Sequence, residues 1–118
     1  MIDLRCGSWQ TALADVDSVD LVLADPPYSA KTHDATDQIV GDSAMPDRAN
    51  RSAIGYEPWN ETKACLFIGY WARRCCGWMC IMTDDTLAPS IKQASLDAAL
   101  SAFAGLPIIQ KRPRLVGD

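Results

Sequence analysis

The sequence is poor in the residues that build zinc sites. Its 118 residues include one histidine, His33, and its five cysteines contain no C-x-x-C pair. Structural zinc sites need several Cys or His ligands at short, regular spacings, so we expect no metal site. The odd number of cysteines, placed within apolar stretches, instead predicts buried free thiols in a reducing cytoplasm.

Long apolar runs are also missing from the chain. No stretch approaches the ~20 apolar residues that a membrane-spanning helix needs. The first residues, Met1 to Arg5, do not show the charged and then apolar pattern of a secretory signal. We therefore expect a cytoplasmic protein with no membrane partner.

Positive charge is scarce as well. Eleven Lys and Arg residues stand against fifteen Asp and Glu residues, which gives a formal net charge of -4 at pH 7. General binding to nucleic acid depends on Lys and Arg side chains that neutralise phosphates. An acidic chain is therefore a poor general DNA binder, and any basic surface must be local.

What remains is the composition of one small globular domain, with 48% hydrophobic and 22% charged residues. The elements predicted from apolar periodicity and capping residues alternate between strand and helix. In order they are a strand over 2–5, a helix over 9–13, a strand over 19–24, a helix capped by Asn60 and ended by Gly77, a strand over 78–82, a helix from Pro89 to about Ala104 and an extended segment over 107–116. This alternation predicts an α/β fold with a mostly parallel sheet.

The strand over 19–24 is nearly all apolar, which is typical of a parallel strand covered by helices on both faces. It stops at Asp25-Pro26-Pro27, because proline cannot donate to a strand ladder. From Tyr28 to Trp59 the chain is polar and is predicted to be irregular. A loop of this length in a compact domain is usually functional.

The segment Asp25-Pro26-Pro27-Tyr28 is the candidate site, because parallel sheets bind ligands just past the carboxyl ends of their strands. An exocyclic amine on a nucleobase is a weak nucleophile, since its lone pair is conjugated with the ring. The Asp25 carboxylate can accept one N–H of such an amine and the Pro26 carbonyl the other, directing the lone pair toward a methyl donor. Two prolines preorganise these acceptors, and Tyr28 can stack on a flipped base.

The same four residues have a purely structural interpretation. Aspartate followed by proline is common turn chemistry, and such a string arises by chance. Its position directly after an apolar strand, with polar and aromatic residues following, favours the functional interpretation.

Residues 19–28, VDLVLADPPY, resemble the catalytic strand and loop of the S-adenosylmethionine-dependent DNA amino-methyltransferases, which methylate adenine N6 or cytosine N4. The resemblance covers most of residues 1–85, but only the four-residue loop is specific. It implies a Rossmann-like methyltransferase sheet, DNA as partner, S-adenosylmethionine as cofactor, and Asp25, Pro26, Pro27 and Tyr28 as catalytic residues. Aspartate at the first position is typical of the adenine-N6 enzymes, so adenine is the favoured target.

The apolar-Gly-x-Gly cofactor loop of that family has no counterpart in this sequence. The glycines stand singly, at positions 7, 41, 55, 69, 77, 105 and 117. The resemblance therefore implies a partial methyltransferase domain over residues 1–118, the catalytic half, in the permuted order that places the catalytic loop first. Three alternatives stay open: a truncated chain, a split enzyme whose companion chain or C-terminal segment supplies the cofactor loop, and an inactive fragment or subunit that binds nucleic acid or a partner chain.

Further candidates have weaker support. Asp84 follows a predicted strand and is a candidate cofactor-binding residue, with a helix-start carboxylate as the equal alternative. The candidate DNA-binding residues are Lys31, Arg48, Arg51, Lys111, Arg112 and Arg114. Solvated surface charge is the alternative for these six. RNA or a protein amide is the alternative substrate for the same loop.

Overall fold

The computed structural model describes residues 1–34, 55–102 and Gly105. These ranges contain α1 (Trp9–Ala12), β1 (Val19–Ala24), α2 (Glu61–Ala72), β2 (Cys75–Ile81) and α3 (Ala88–Asp97), and residues 30–34 are also helical. β1 and β2 pair in parallel, with α2 in the connection between them. The predicted α/β class with a parallel sheet is confirmed for this part of the chain.

The core lies between one face of the sheet and the two longer helices. α2 begins at Asn60, whose side chain accepts a hydrogen bond from the Lys63 N–H at 2.9 Å, as predicted. The helical spacing of five residues predicts one apolar face, made of Ala64, Phe67, Ile68, Trp71 and Cys75. The first four are buried on α2, whereas Cys75 begins β2 and is half-buried. Val22 of β1 and Ala94 of α3 complete the buried cluster. Burial of each large side chain stabilises the fold by about 1.5–3 kcal/mol.

Gly77 does not end α2, so this predicted boundary is wrong. The helix ends at Ala72, and Gly77 lies inside β2. A Cβ atom at position 77 would lie 2.3 Å from the carbonyl oxygen of Asp20, beside the register shift between Val19 and Leu21. Glycine is needed here because the two strand backbones approach too closely for a side chain.

The expectation that helices cover both faces of β1 is wrong for the described residues. Along this strand Val22 is 9% exposed, whereas Leu21 is 55% and Leu23 is 74% exposed. Successive strand side chains point to opposite faces, so one sheet face packs on the helices and the other is open in this part of the chain. The cysteines are free as predicted, but four are exposed and Cys75 is half-buried.

The predicted strand over 2–5 is also wrong, because these residues form no ladder. The Arg5 guanidinium instead donates to the carboxylates of Asp3 and Asp15 and to the carbonyl oxygen of Ala12. These bonds tie the N-terminal segment to the end of α1.

α3 is shorter than predicted, ending at Asp97 instead of near Ala104. Ala99 takes a left-handed conformation with φ 60°, and the Leu100 N–H donates to the Ser95 carbonyl oxygen at 2.9 Å. This is a Schellman termination with alanine at the position that glycine usually occupies. Gly105 therefore does not cap α3, and the predicted extended segment 107–116 lies outside the described residues.

None of the helices in the described ranges has the length and apolar character needed to cross a membrane.

Candidate functional site

The predicted site lies where the two strands end together. Ala24, the last residue of β1, pairs with Ile81, the last residue of β2. The Ala24 carbonyl oxygen accepts a hydrogen bond from the Met82 N–H at 2.9 Å. Residues 25–28 and 82–86 therefore leave the sheet side by side at its carboxyl edge, the position at which parallel sheets bind ligands.

The backbone of residues 25–28 is held at both ends. The Ala24 bond to Met82 fixes its start, and at its far end the Tyr28 carbonyl oxygen accepts from the Trp59 N–H at 3.0 Å. The next residue, Ser29, donates its backbone N–H to Asp84 at 2.9 Å. Between these points Pro26 and Pro27 have fixed φ angles, so the loop has little conformational freedom.

Asp84 is the centre of the hydrogen bonding at this edge. Its Oδ2 atom accepts from the Ser29 N–H at 2.9 Å, from the Ser29 hydroxyl at 2.6 Å and from the Thr32 hydroxyl at 2.6 Å. Its Oδ1 atom accepts from the N–H groups of Thr86 at 3.2 Å and Leu87 at 3.0 Å. Five donors thus converge on one carboxylate, which has about four lone-pair sites.

These donors control the ionisation of Asp84. Burial alone pushes the pKa of the carboxyl upward, but the hydrogen bonds from Ser29, Thr32 and Leu87 outweigh it and lower the pKa to about 2. Asp84 is therefore ionised at neutral pH. Its bonds to Thr86 and Leu87, just before α3, support the helix-start interpretation, while its predicted role in cofactor binding stays untested.

Asp25 is more accessible than Asp84, which is half-buried. Asp25 is exposed, and Tyr28 is half-buried. Burial raises the pKa of the Tyr28 hydroxyl, and the neighbouring Asp25 carboxylate raises it further. The phenol is therefore neutral at physiological pH and keeps a proton to donate. The predicted catalytic roles of residues 25–28 remain predictions.

The segment after Tyr28 is helical over residues 30–34, so the prediction of an irregular chain from Tyr28 onward is wrong there. The Ser29 carbonyl oxygen accepts from the N–H groups of Thr32 and His33, both at 3.1 Å. His33 is 7% exposed and packs edge-on against Tyr56, with ring centroids 5.3 Å apart. His33 is therefore a buried residue of this short helical segment.

Sequence reasoning missed Ser29, Thr32 and Trp59 as residues that shape the site. A signal for Ser29 was present, because serine directly before a helical segment is a common N-cap. No local signal identifies Trp59, whose backbone contact with Tyr28 depends on the packing of α2.

Of the six basic residues predicted to contact DNA, the described part of the chain contains one. Lys31 is exposed and lies 3.3 Å from the Asp85 carboxylate. Such an exposed ion pair contributes roughly 0–1 kcal/mol, which leaves the Lys31 ammonium free to exchange Asp85 for a phosphate. Arg48, Arg51, Lys111, Arg112 and Arg114 lie outside the described residues.

The described residues do not fit S-adenosylmethionine. The Asp84 oxygens are engaged by the protein itself, and the sequence has no Gly-x-Gly turn. Two surface grooves, of about 860 and 620 Å³, are lined by other parts of the molecule and include neither residues 25–28 nor 82–86. No group of three metal-ligating side chains occurs among the residues that the structure describes.

Comparison with known proteins found no matching family model, no similar curated protein and no similar solved structure. The chemistry of the carboxyl edge is therefore the basis for a functional proposal.

Proposed function

We propose that this chain provides the target-amine site of an S-adenosylmethionine-dependent DNA methyltransferase, with adenine N6 as the target. The observation that supports this most strongly is the geometry of residues 25–28. They form a proline-fixed loop, tied at both ends, at the carboxyl edge of a parallel sheet, with Asp25 exposed. This arrangement offers a carboxylate and a backbone carbonyl to an incoming amine without a further rearrangement of the loop.

In the proposed reaction, Asp25 and Pro26 act on the two protons of the amine. The Asp25 carboxylate accepts one N–H and the Pro26 carbonyl accepts the other, which draws the nitrogen away from planarity and frees its lone pair. Tyr28 stacks on the flipped base and holds it in register with these acceptors. Because the Tyr28 hydroxyl stays neutral, it does not add a negative charge beside Asp25.

The methyl group comes from S-adenosylmethionine, and in this proposal a different part of the enzyme holds that cofactor. The Rossmann-like architecture is part of the proposal and agrees with the parallel pair of strands joined by α2. A companion chain or a further C-terminal segment supplies the glycine loop. It would also supply the strands and helices that continue the sheet.

The first test is methyl transfer from labelled S-adenosylmethionine to unmethylated DNA, with the product digested and its nucleosides identified by mass. We expect N6-methyladenine in the presence of the companion chain or the flanking reading frames. Asp25→Ala should abolish the product. Asp17→Ala, which removes an exposed carboxylate before β1 at the opposite edge of the sheet, should leave it unchanged.

The same assay with RNA and with a glutamine-containing peptide separates the alternative substrates. Methylated product from the RNA or the peptide, with none from DNA, would identify that molecule as the substrate instead of DNA. The absence of product on all three, together with no binding of S-adenosylmethionine by the assembled protein, would indicate an inactive remnant instead.

A further inference from the structure

We propose that Asp84 is the positioning residue of the 25–28 loop, rather than a residue that contacts the cofactor. The two oxygens of this carboxylate have different tasks. Oδ1 accepts from Thr86 and Leu87 and fixes the turn into α3. Among the described residues, Oδ2 accepts from Ser29 and Thr32, which follow the loop. The effect of this role on reaction rate rests on the proposed function, but the role itself does not.

A helix-start carboxylate needs only the Oδ1 bonds. The Oδ2 bonds reach back 55 residues along the sequence and join two segments that have no covalent reason to meet. Ser29 is 4% exposed, so its N–H and hydroxyl have little access to water and depend on Asp84 as acceptor. Removing that acceptor would leave buried donors unpaired. An unpaired buried donor destabilises the fold by more than a typical hydrogen bond stabilises it.

The position of Asp25 depends on this junction because the loop is short. Ala24 is fixed by the sheet and Ser29 by Asp84, so four residues, two of them prolines, span two anchored points. Without the Asp84 bonds, the far end of the loop keeps the β-bridge between Ser29 and Trp59, which includes the Trp59 N–H on the Tyr28 carbonyl oxygen, but loses its tie to the β2 loop. Asp25 and Tyr28 would then sample positions in which they no longer face the same amine.

Asp84→Asn is the sharpest variant, because asparagine keeps one acceptor oxygen for Thr86 and Leu87 but places an N–H₂ donor toward Ser29. Asp85→Asn is the matched control, since Asp85 is the adjacent carboxylate and is exposed. Amide hydrogen exchange, followed by two-dimensional NMR, measures the junction without any activity. We expect Ser29 exchange to accelerate at least about 10-fold in Asp84→Asn and less than about 2-fold in Asp85→Asn.

Thr32→Val gives a second route if Asp84→Asn does not fold. It removes one donor from Oδ2 and leaves the bonds to Thr86 and Leu87 in place. Faster exchange at Ser29, with the Leu87 amide unchanged, is expected. If the Ser29 amide is as protected in both Asp84→Asn and Thr32→Val as in the wild type, the proposal is overturned.

Steady-state transfer by the assembled enzyme then tests the consequence for catalysis. A positioning residue predicts that Asp84→Asn lowers kcat at least about 10-fold while KM for DNA changes by less than about 3-fold. Unchanged kcat in a variant whose Ser29 amide has lost protection would overturn the positioning role. If Asp84→Asn loses Ser29 protection but the wild-type enzyme transfers no methyl group, Asp84 is still the loop anchor. That result would contradict the proposed function alone.

Discussion

Two loops leave the sheet side by side, and their aspartates differ in exposure and hydrogen bonding. Asp25 follows β1 and is exposed, whereas Asp84 follows β2 and accepts five hydrogen bonds from its own chain. The backbone around Asp25 is fixed by prolines, and its exposed carboxylate interacts only within the same loop, with the Tyr28 hydroxyl, as far as the described residues show. The difference shows that residue type and sheet position do not define a ligand site, because the state of the acceptor atoms also matters.

We expect the loop of Asp84 to serve stability and the loop of Asp25 to serve the proposed chemistry. Asp84 joins the segment after β1 to the start of α3 and is ionised at neutral pH. Asp25 contributes little to that framework and keeps its oxygens accessible. Changes in the framework should therefore alter folding, and changes at Asp25 should alter activity.

The largest effect on folding is expected for Gly77→Ala, which separates the strands that carry both loops. The new Cβ would lie 2.3 Å from the Asp20 carbonyl oxygen. We expect a loss of about 3 kcal/mol in the free energy of unfolding, measured by urea denaturation. Gly69→Ala is the matched control, because no atom lies within 4 Å of its Cβ position in α2. It should stabilise the protein by up to about 1 kcal/mol, and equal effects of the two changes would contradict the strand contact.

The next effect is the contribution of Asp84 to the pH dependence of stability. Its folded pKa of about 2 lies below the ordinary value of 3.8, so its stabilising contribution is present above pH 4 and is lost as the pH falls toward 2. Because the carboxyl is partly exposed, solvent screening limits the contribution to about 1 kcal/mol. Denaturation at pH 6 and pH 2.5 should show that Asp84→Asn is less stable than the wild type at pH 6 and that the difference shrinks to about a third at pH 2.5. A gap of constant size at both pH values would argue against the low pKa.

Tyr28 provides a smaller effect on the chemical loop. Tyr28→Ala should weaken binding to DNA that contains an unpaired adenine by about 10-fold, because a stacking surface is lost. Tyr28→Phe keeps the ring and should bind within about 2-fold of the wild type, since stacking does not need the hydroxyl. Fluorescence anisotropy of labelled DNA measures both. Equal weakening in the two variants would assign the contact to the hydroxyl instead.

The smallest effect is expected for Lys31→Ala. Its ion pair with Asp85 is exposed on both sides, so the free energy of unfolding should change by less than about 0.5 kcal/mol. If Lys31 contacts a phosphate, the slope of log affinity against log salt concentration should fall by about 1. An unchanged slope would assign Lys31 to solvated surface charge.

The sequence predicted the features that depend on neighbouring residues. The apolar run over 19–24, stopped by proline, located β1 and its loop, and the spacing of Ala64, Phe67, Ile68 and Trp71 located the buried face of α2. Asn60 identified the start of that helix because capping acts over three residues.

The remaining features depend on contacts that no short window contains. Gly77 is compatible with a helix end or with a close strand contact, and only its proximity to Asp20 decides between them. The hydrogen bond between Ser29 and Asp84 spans 55 residues, so neither residue signals the other. Ala99 ends α3 in a conformation that favours glycine, and no sequence rule places alanine there.

The most direct test of the central claim is a single-turnover transfer assay that compares Asp25→Ala with the wild type, run alongside urea denaturation of both proteins. The two-loop comparison predicts that Asp25→Ala lowers the rate of methyl transfer to adenine by about 10²–10³-fold, while the free energy of unfolding stays within about 0.5 kcal/mol of the wild type. Methyl transfer at the wild-type rate by a folded Asp25→Ala protein would contradict the assignment of this loop as the target-amine site.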